Sequence, residues 1–458
     1  MIRLFSVYYS ARTLVRVCSE IVLVYCSFLL GFVLLGSPDA WIPLLYEYGL
    51  LKIACLTVLT LLLTYYFDLY EPQRISGGWE IYFRLLLVLS ALSFILAGFL
   101  YIVPDFDIRP NAFSCGLLIL AVLLLIWRSL YDWICGLPAF RERVYVLGHG
   151  ERAVTICNML KNRRDAGIEI IPQIQIVELS TDSTTHFSDE LKALRASKQS
   201  IDRVIVAIED RRGSMPVRDL LDLHFRGILI DDANSLIEQL EGKLLLDGLV
   251  PSSFIFRDGV GITAVQRFVR RIVSICISFT SLLICLPFIP FIMLAVRISS
   301  PGPIFFHQTR VGRRGRTFEV FKFRTMKQDA EANGAVWAVE NDPRITRVGK
   351  FLRMTRLDEI PQLWNVLRGD MAFVGPRPER PEFVNWLSQE IPFYELRHII
   401  RPGITGWAQV RYHYGASLEE AKRKLEYDLY YIKHLSLGLD LLIMFETIKT
   451  ILLRRGAQ

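Results

Sequence analysis

Charge is scarce in this chain of 458 residues: 22% are Asp, Glu, Lys or Arg, against 52% hydrophobic, and the mean hydropathy is +0.33. That shortage excludes an intrinsically disordered chain and argues against an ordinary soluble protein. Net charge is also small, since 53 basic and 46 acidic residues leave +7, so no nucleic-acid partner is expected. Paired cysteines are missing: none of the eight forms a C-x-x-C motif. Seven of them (Cys18, Cys26, Cys55, Cys115, Cys135, Cys276 and Cys285) lie in or beside apolar stretches, as small membrane-core residues do. Paired histidines are missing as well, because none of His307, His398, His413 and His434 stands at metal-ligand spacing from another, and no zinc site is expected. A length prior of about 150 residues per domain suggests roughly three domains.

Apolar runs fill the first third, at about Leu14 to Leu35, Gly49 to Phe67, Tyr82 to Val103 and Phe113 to Ile134. Each is close to the ~20 residues that cross a bilayer as a helix. The first run carries Arg16 and Glu20, one turn apart, and is the least clear of the four. It lacks the small-residue cleavage site of a signal peptide. Arg3, Arg12 and Arg16 precede or open the first run, and Arg128, Arg141 and Arg143 cluster around the end of the fourth. The short loops with Asp39 and Glu47, and with Asp105 and Asp107, are acidic. The positive-inside rule then puts both ends of this block in the cytoplasm.

From Arg143 to about Ser253 a soluble composition returns, with strand and helix in alternation. Val144 to Leu147 reads as a buried strand, Gly148-His149-Gly150 as a tight turn and Ala153 to Leu160 as a helix. Further strands are expected at Ile168 to Val177 and Arg203 to Ile208. The result is a βαβ unit with a G-x-G-x-x-A turn. The acidic residue of a dinucleotide site is absent, Glu178 being too late and Glu169 too early. Two uses of the domain stay open, nucleotide binding and packing or regulation.

The next apolar run, about Ile272 to Ile298, is broken near its middle by Pro287 and Pro290, so a kink is expected. Arg267, Arg270 and Arg271 precede it, and Arg297, Arg310, Arg313, Arg314 and Arg316 follow. Basic residues on both flanks favour a re-entrant hairpin that leaves on the face it entered. The simpler alternative, a proline-kinked span, would strand the polar C-terminal half away from cytoplasmic nucleotides. Residues 307–327 hold seven basic residues and one acid, Glu319. Such a face can rest on anionic headgroups or hold pyrophosphate. Arg324, in the strand-like Phe318 to Arg324, is the better pyrophosphate candidate, and the arginines around Gly312 and Gly315 read as a solvated turn near lipid.

Three dense blocks follow: Thr355 to Phe383 (TRLDEIPQLWNVLRGDMAFVGPRPERPEF), Arg401 to Val410 (RPGITGWAQV) and Leu425 to Leu441 (LEYDLYYIKHLSLGLDL). Asp358 and Glu359 are adjacent carboxylates close to Arg353 and Arg356, which gathers both signs of charge at one point. Taken alone, such a cluster could be a surface salt-bridge network of little energetic weight. Pro376 and Pro378 restrict where Arg377 can point. Asp370 is structural or near a metal. Leu437 to Leu453 is apolar but contains Asp440, Glu446 and Lys449, as an interfacial amphipathic helix would.

From about Arg270 to the C-terminus the chain resembles the polyprenyl-phosphate sugar-phosphate transferases, the monotopic phosphoglycosyl transferases. The resemblance rests on the proline-broken hairpin, SPGPIFFHQTRVG from Ser300, FKFRTM from Phe321, LDEIPQ, GPRP and RPGITGWAQV. The whole chain is similar to the large members of that family, and its ERPEFV and YGAS elements look closest to members associated with exosortase-type exopolysaccharide loci. The resemblance implies a membrane protein of three parts. These are an N-terminal bundle of four transmembrane helices (1–140), a central Rossmann-like, CoA-binding-like α/β domain (141–255) and a C-terminal monotopic α/β transferase domain (256–458) with a re-entrant helix at about 270–298.

It further implies transfer of a sugar 1-phosphate from a UDP-sugar to undecaprenyl phosphate, releasing UMP, as a first step of exopolysaccharide or related glycan synthesis. Asp358 would be the nucleophile and Glu359 would help hold Mg²⁺ or position the phosphate, with Asp358 and Glu359 as the metal carboxylates. Arg324, Arg353 and Arg377 would bind phosphate or nucleotide, and Pro287 and Pro290 would break the hairpin. The implied setting is the bacterial inner membrane, with the active site on the cytoplasmic face, inner-membrane lipids around it and a homodimeric assembly. Two other readings fare worse. A nucleotide-sugar dehydratase or epimerase needs a Tyr-x-x-x-Lys pair that the central domain lacks, and a non-catalytic export scaffold does not need the Asp-Glu block.

Overall fold

The computed structural model describes residues 2–35, 41–46, 48–70, 78–103, 109–162, 167–172, 183–196, 200–208, 215–247, 249, 263–328, 330, 342–412 and 417–453. The expected acidic loops with Asp39, Glu47, Asp105 and Asp107, the strand end with Glu178, His413 and the domain limit at 255/256 lie outside these residues. Packing divides the chain into two compact units, one built on Tyr9–Ala233 and the other on Arg3–Tyr8 with Asn234 onward.

In the first unit the four N-terminal apolar runs are helices Ala11–Leu35, Gly49–Tyr66, Gly78–Ile102 and Pro110–Gly136. All are long and apolar enough to cross a membrane. They share a core containing Phe28, Ile53, Val88 and Leu120, while Leu34, Phe94 and Leu118 face outward, a distribution suited to lipid on the outside. The charges that made the first run unclear are answered by the last helix. Arg16 pairs with Asp132, and buried Glu20 pairs with buried Arg128 at 2.9 Å. Both partners lie four residues apart in opposite chain directions, so two antiparallel helices are stapled one turn apart. Tyr70 donates a third contact to Glu20 at 2.6 Å. Farther along the same pair, a Cβ on Gly31 would stand 2.5 Å from the Gly116 nitrogen, so the backbones touch there.

The rest of this unit is a four-stranded parallel sheet in the order Ile168–Ile170, Glu142–Leu147, Arg203–Val206, Leu229–Asp232. Helix Glu151–Asn162 follows the glycine turn, as the βαβ pattern predicts. A fully buried carboxylate, Glu190, accepts hydrogen bonds from Tyr145 and from His149 of that turn, the latter at 3.2 Å.

The second unit begins within the region assigned by sequence to the central domain, because residues after Ala233 pack on the C-terminal elements. Glu238 bonds to Lys433 at 2.9 Å and His434 at 2.5 Å, and the Trp407 indole donates to the Gly242 carbonyl at 2.7 Å. Residues 3–8 join the same unit, Arg3 donating to His434 Nδ1 at 2.8 Å.

Helix Ala264–Cys285 opens with a capping box between Thr263 and Gln266. It passes through the 3-10 turn Leu286–Phe288 into helix Ile289–Ser299. Pro287 and Pro290 each occupy the first turn of a new helical piece, where the missing N–H costs little, so the path is interrupted while its dihedrals stay right-handed. Antiparallel strands Phe305–Val311 and Thr317–Phe323 follow, then short helices around a parallel pair, Ala372–Val374 and Gly403–Thr405. The last helix, Leu437–Leu452, turns Asp440, Glu446 and Lys449 inward and Leu441, Ile448 and Leu452 outward. Its polarity is the reverse of a water-facing helix and agrees with an apolar surface offered to lipid.

Arg128→Met strands the buried Glu20 carboxylate and is expected to destabilise the bundle by about 3–5 kcal/mol. The double variant Glu20→Met/Arg128→Met should recover most of that loss. Thermal melts of the detergent-solubilised protein check it, and equal melting temperatures for single and double variants would show that the pair carries no such constraint.

Candidate active site

Asp358 and Glu359 occupy an elbow between two helices. Helix Arg347–Met354 is capped by Thr346, whose hydroxyl accepts from Gly349 N at 2.9 Å. Arg356 then adopts a left-handed conformation (φ 58°) that reverses the chain, the 3-10 turn Leu357–Glu359 carries the dyad, and helix Gln362–Arg368 leads away. Leu357, Ile360 and Leu363 anchor the elbow in a core with Ile292, Val296 and Phe323, so the broken membrane segment and the dyad share one apolar cluster.

Asn365 docks the neighbouring strand onto this elbow. Its side-chain carbonyl accepts from Phe321 N at 3.2 Å and its amide donates to Glu319 O at 2.7 Å, as an adjacent strand would. Lys322 is thereby brought to Glu359 Oε1 at 3.2 Å. From the other side comes Arg377, whose NH2 reaches the same oxygen at 3.0 Å. Its loop is held where Gly375 and Gly403 touch: a Cβ on Gly403 would lie 2.1 Å from Gly375 N, which gives the GPRP and RPGITG blocks their glycines. Arg356 approaches Glu359 Oε2 at 3.7 Å.

The two carboxylates are therefore unequal. Burial alone would raise the Glu359 carboxyl, but Arg377, Lys322 and Arg356 together outweigh it and hold it well below the usual carboxylate range. Asp358 is also buried, yet among the described residues its side chain makes no hydrogen bond or ion pair. Burial, and then the Glu359 charge, push its carboxyl upward against the more distant pull of Lys322, Arg353 and Arg377. Lys322, Arg353, Arg356 and Arg377 thus surround the two carboxylates. Beside the dyad lies a small cleft lined by Arg310, Val320, Lys322, Gln362, Arg377, Pro378 and Gly403.

Residues 265–454 match the family model described as bacterial sugar transferase. A UDP-glucose:undecaprenyl-phosphate glucose-1-phosphate transferase of Escherichia coli (strain K12) is 32% identical over 385 residues, 80% of this chain and 81% of the relative. The chain belongs to the bacterial sugar transferases, the polyprenyl-phosphate sugar-phosphate transferases. A UDP-N-acetylgalactosamine-undecaprenyl-phosphate N-acetylgalactosaminephosphotransferase of Aeromonas hydrophila is 46% identical over 194 residues, 42% of this chain, and the match spans about half of that relative (46%). The exopolysaccharide production protein PSS of Rhizobium leguminosarum bv. phaseoli is 41% identical over 191 residues, 40% of this chain and 96% of the relative.

In this sugar transferase the residues singled out from sequence are only partly brought together. Arg377 reaches the dyad directly. Arg353 donates to Thr325 Oγ1 at 2.9 Å while lying close enough to stabilise the Asp358 charge. Arg324 is placed elsewhere. Its guanidinium donates to the Ser300 and Pro301 carbonyls at 2.6 and 2.9 Å, so it clamps the exit of the membrane segment instead of facing the dyad. Strand alternation explains the difference: Lys322 and Arg324 are two apart, but the strand ends at Phe323 and Arg324 has already left its face. Asp370 pairs with Arg368 at 3.5 Å, at the end of helix Gln362–Arg368 away from the dyad. Lys322, which the sequence shows only as one of seven cations in a basic stretch, belongs to the site.

The donor set suits a hard cation. Among the described residues no group of three or more His, Cys, Asp or Glu could hold a metal, and the dyad supplies two adjacent carboxylates. Mg²⁺ is commonly held by one or two carboxylates with water and substrate phosphates. Among the described residues, Arg356 approaches Glu359 Oε2 at 3.7 Å, and Asp358 makes no hydrogen bond or ion pair that an ion would have to displace.

Arg324→Met leaves two carbonyls without their donor and is expected to cost about 1–3 kcal/mol of stability. A clamp, as opposed to a phosphate ligand, should leave KM for the sugar nucleotide within about twofold of wild type. Melting curves and steady-state kinetics on the same preparation separate the two roles; a large rise in KM at unchanged stability would return Arg324 to the substrate.

Proposed function

We propose that the chain transfers a sugar 1-phosphate from a UDP-sugar to undecaprenyl phosphate through a covalent intermediate on Asp358. The observation that carries this reading is the inequality of the dyad: a buried Asp358 with no hydrogen bond or ion pair among the described residues, beside a Glu359 already engaged by three cations. An unpartnered carboxylate has an oxygen available for attack, whereas Glu359 holds Lys322, Arg356 and Arg377 where phosphate oxygens arrive.

In the first step an Asp358 oxygen attacks the β-phosphorus of the UDP-sugar. The bond from that phosphorus to the bridging oxygen breaks, and UMP leaves with the bonding electrons. In the second step a phosphate oxygen of undecaprenyl phosphate attacks the same phosphorus, the bond to Asp358 breaks and the carboxylate is restored. Dividing the reaction lets a soluble and a lipid-embedded anion use one carboxylate in turn. Mg²⁺, held by Asp358 and Glu359, would neutralise phosphate charge when bound. Arg353 and Arg377 steady the phosphates, and the cleft beside Lys322 and Arg377 receives the pyrophosphate end of the donor.

The same reading sets the catalytic domain on the cytoplasmic face of the bacterial inner membrane, with segment 264–299 re-entrant. Several contacts support it. Arg270, near the start of the segment, binds Asp440 at 2.5 Å, and Arg271 donates to the Val366 carbonyl at 2.7 Å. At the other end Arg297 donates to Gly302 O at 2.6 Å, just before the strands that carry Lys322. Both ends thus belong to one polar domain. Only 6% of the segment's most apolar window is buried, against 22–33% for the four N-terminal helices, which suits a segment surrounded by lipid tails. Residues 3–8 fold on the same domain, Ser6 Oγ meeting Ser436 Oγ at 2.9 Å, and share its side of the membrane.

Asp358→Asn should lower UMP release from the UDP-sugar by at least about 10³-fold while the protein stays folded in the membrane. Radiolabelled sugar should remain on denatured wild-type protein when the lipid acceptor is withheld, and not on the variant; retained turnover by Asp358→Asn removes the nucleophile. For the hairpin, single cysteines placed just before Arg270 and just after Arg297 in a background without the native cysteines should both react with a membrane-impermeant thiol reagent added from the cytoplasmic side. Labelling from opposite sides would make the segment a span.

A further inference from the structure

The loop Pro376-Arg377-Pro378 carries Arg377 into the site but has little means of holding itself. Two of its three residues are prolines and lack an N–H, so their backbone cannot tie the loop by donating. Each of its three carbonyls is instead claimed by a donor from another part of the domain. Gly403 N takes Pro376 O at 2.9 Å, Arg397 takes Arg377 O at 2.9 Å and Arg310 takes Pro378 O at 3.1 Å. The first is a backbone contact from the start of strand Gly403–Thr405, and Arg310 lies in the cleft. Arg397 does neither: it is buried on the 3-10 helix Tyr394–Ile399.

Its NH2 also donates to Asp428 Oδ2 at 2.9 Å, and its NH1 donates to the Tyr394 hydroxyl at 2.5 Å. Asp428 is buried in helix Leu418–Lys433. A planar fork fixed on both prongs presents its donor to Arg377 O at one angle only. That carbonyl lies in the peptide joining Arg377 to Pro378, so its direction sets the backbone from which the Arg377 side chain leaves toward Glu359 Oε1, 3.0 Å away.

We infer that Arg397, braced by Asp428 and Tyr394, is a positioning residue that aims Arg377 at the substrate phosphates, so that a buried ion pair outside the cleft governs the transfer step. The inference rests on the role proposed above for Arg377.

Arg397→Lys in the full-length, detergent-solubilised protein tests it. Lysine keeps the charge beside Asp428, but an ammonium on a flexible stem does not reproduce the fork. In wild type the change should lower kcat/KM for UMP release about 10–100-fold. In an Arg377→Gln background the same change should cost less than about twofold, because its effect passes through a side chain already removed. Equal losses in both backgrounds would make Arg397 a general support and overturn the inference. Should Arg397→Lys fail to fold, Asp428→Asn, which keeps a hydrogen-bond acceptor for Arg397, takes its place in the same cycle. Hydrogen exchange of residues 372–384 decides independently of activity: faster exchange than wild type in the variant is expected, and unchanged exchange overturns the inference. A wild-type protein that released no UMP from any UDP-sugar would instead sink the proposed reaction while leaving the exchange result to judge Arg397.

Discussion

Glu359 draws three cations from three stretches of chain to one buried point: Lys322 from a strand, Arg356 from the elbow itself and Arg377 from the proline-bounded loop. Brought together without an anion, these groups would repel one another, and the strand, elbow and loop would have no common centre. With the anion they are assembled before any substrate arrives, which is the condition for electrostatic stabilisation that costs no rearrangement during reaction. Much of the domain can be understood as holding that centre. Asn365 docks the strand, the apolar side chains of the elbow reach the membrane segment, and the glycines of two loops let the Arg377 backbone come close.

A second constraint comes from the bilayer, where a charge must meet an opposite charge or face protein. Glu20 and Arg128 satisfy it within the N-terminal helices. Asp440, Glu446 and Lys449 satisfy it in the last helix by turning toward the domain while Leu441, Ile448 and Leu452 turn away. The Arg270–Asp440 pair then joins the start of the broken segment to the last helix, so the two apolar surfaces of the catalytic unit are held by a contact between their polar sides. Glu20–Arg128 and Arg270–Asp440 thus each join two helices through charges set in apolar runs.

The broad organisation was legible in the sequence because it depends on local composition and period. The apolar runs became helices with ends shifted by a few residues, the β-α alternation became a parallel sheet, and Pro287 and Pro290 interrupted the fifth run. Asp358 and Glu359 could be singled out because their chemistry is written in adjacent positions. The basic residues were harder. Lys322 and Arg324 look alike in a run of cations, and only the end of the strand after Phe323 separates one that faces Glu359 from one that caps Ser300 and Pro301. Arg397 and Asp428 carry no such local signal, since they lie 31 residues apart and neither stands beside Arg377 in the chain.

Sequence by itself determined the classes of residue available: long apolar helices, a glycine turn, paired carboxylates, and a loop whose prolines deprive it of donors. Each follows from bonds and periods within a few residues. Only the tertiary structure decided which partner each charge received. A guanidinium reaches several ångströms in any direction, and its role depends on the acceptors that distant segments bring to it. That is why, among the described residues, Glu359 holds three cations while Asp358 beside it pairs with none, and why Arg377 enters the site on a carbonyl held from behind by Arg397.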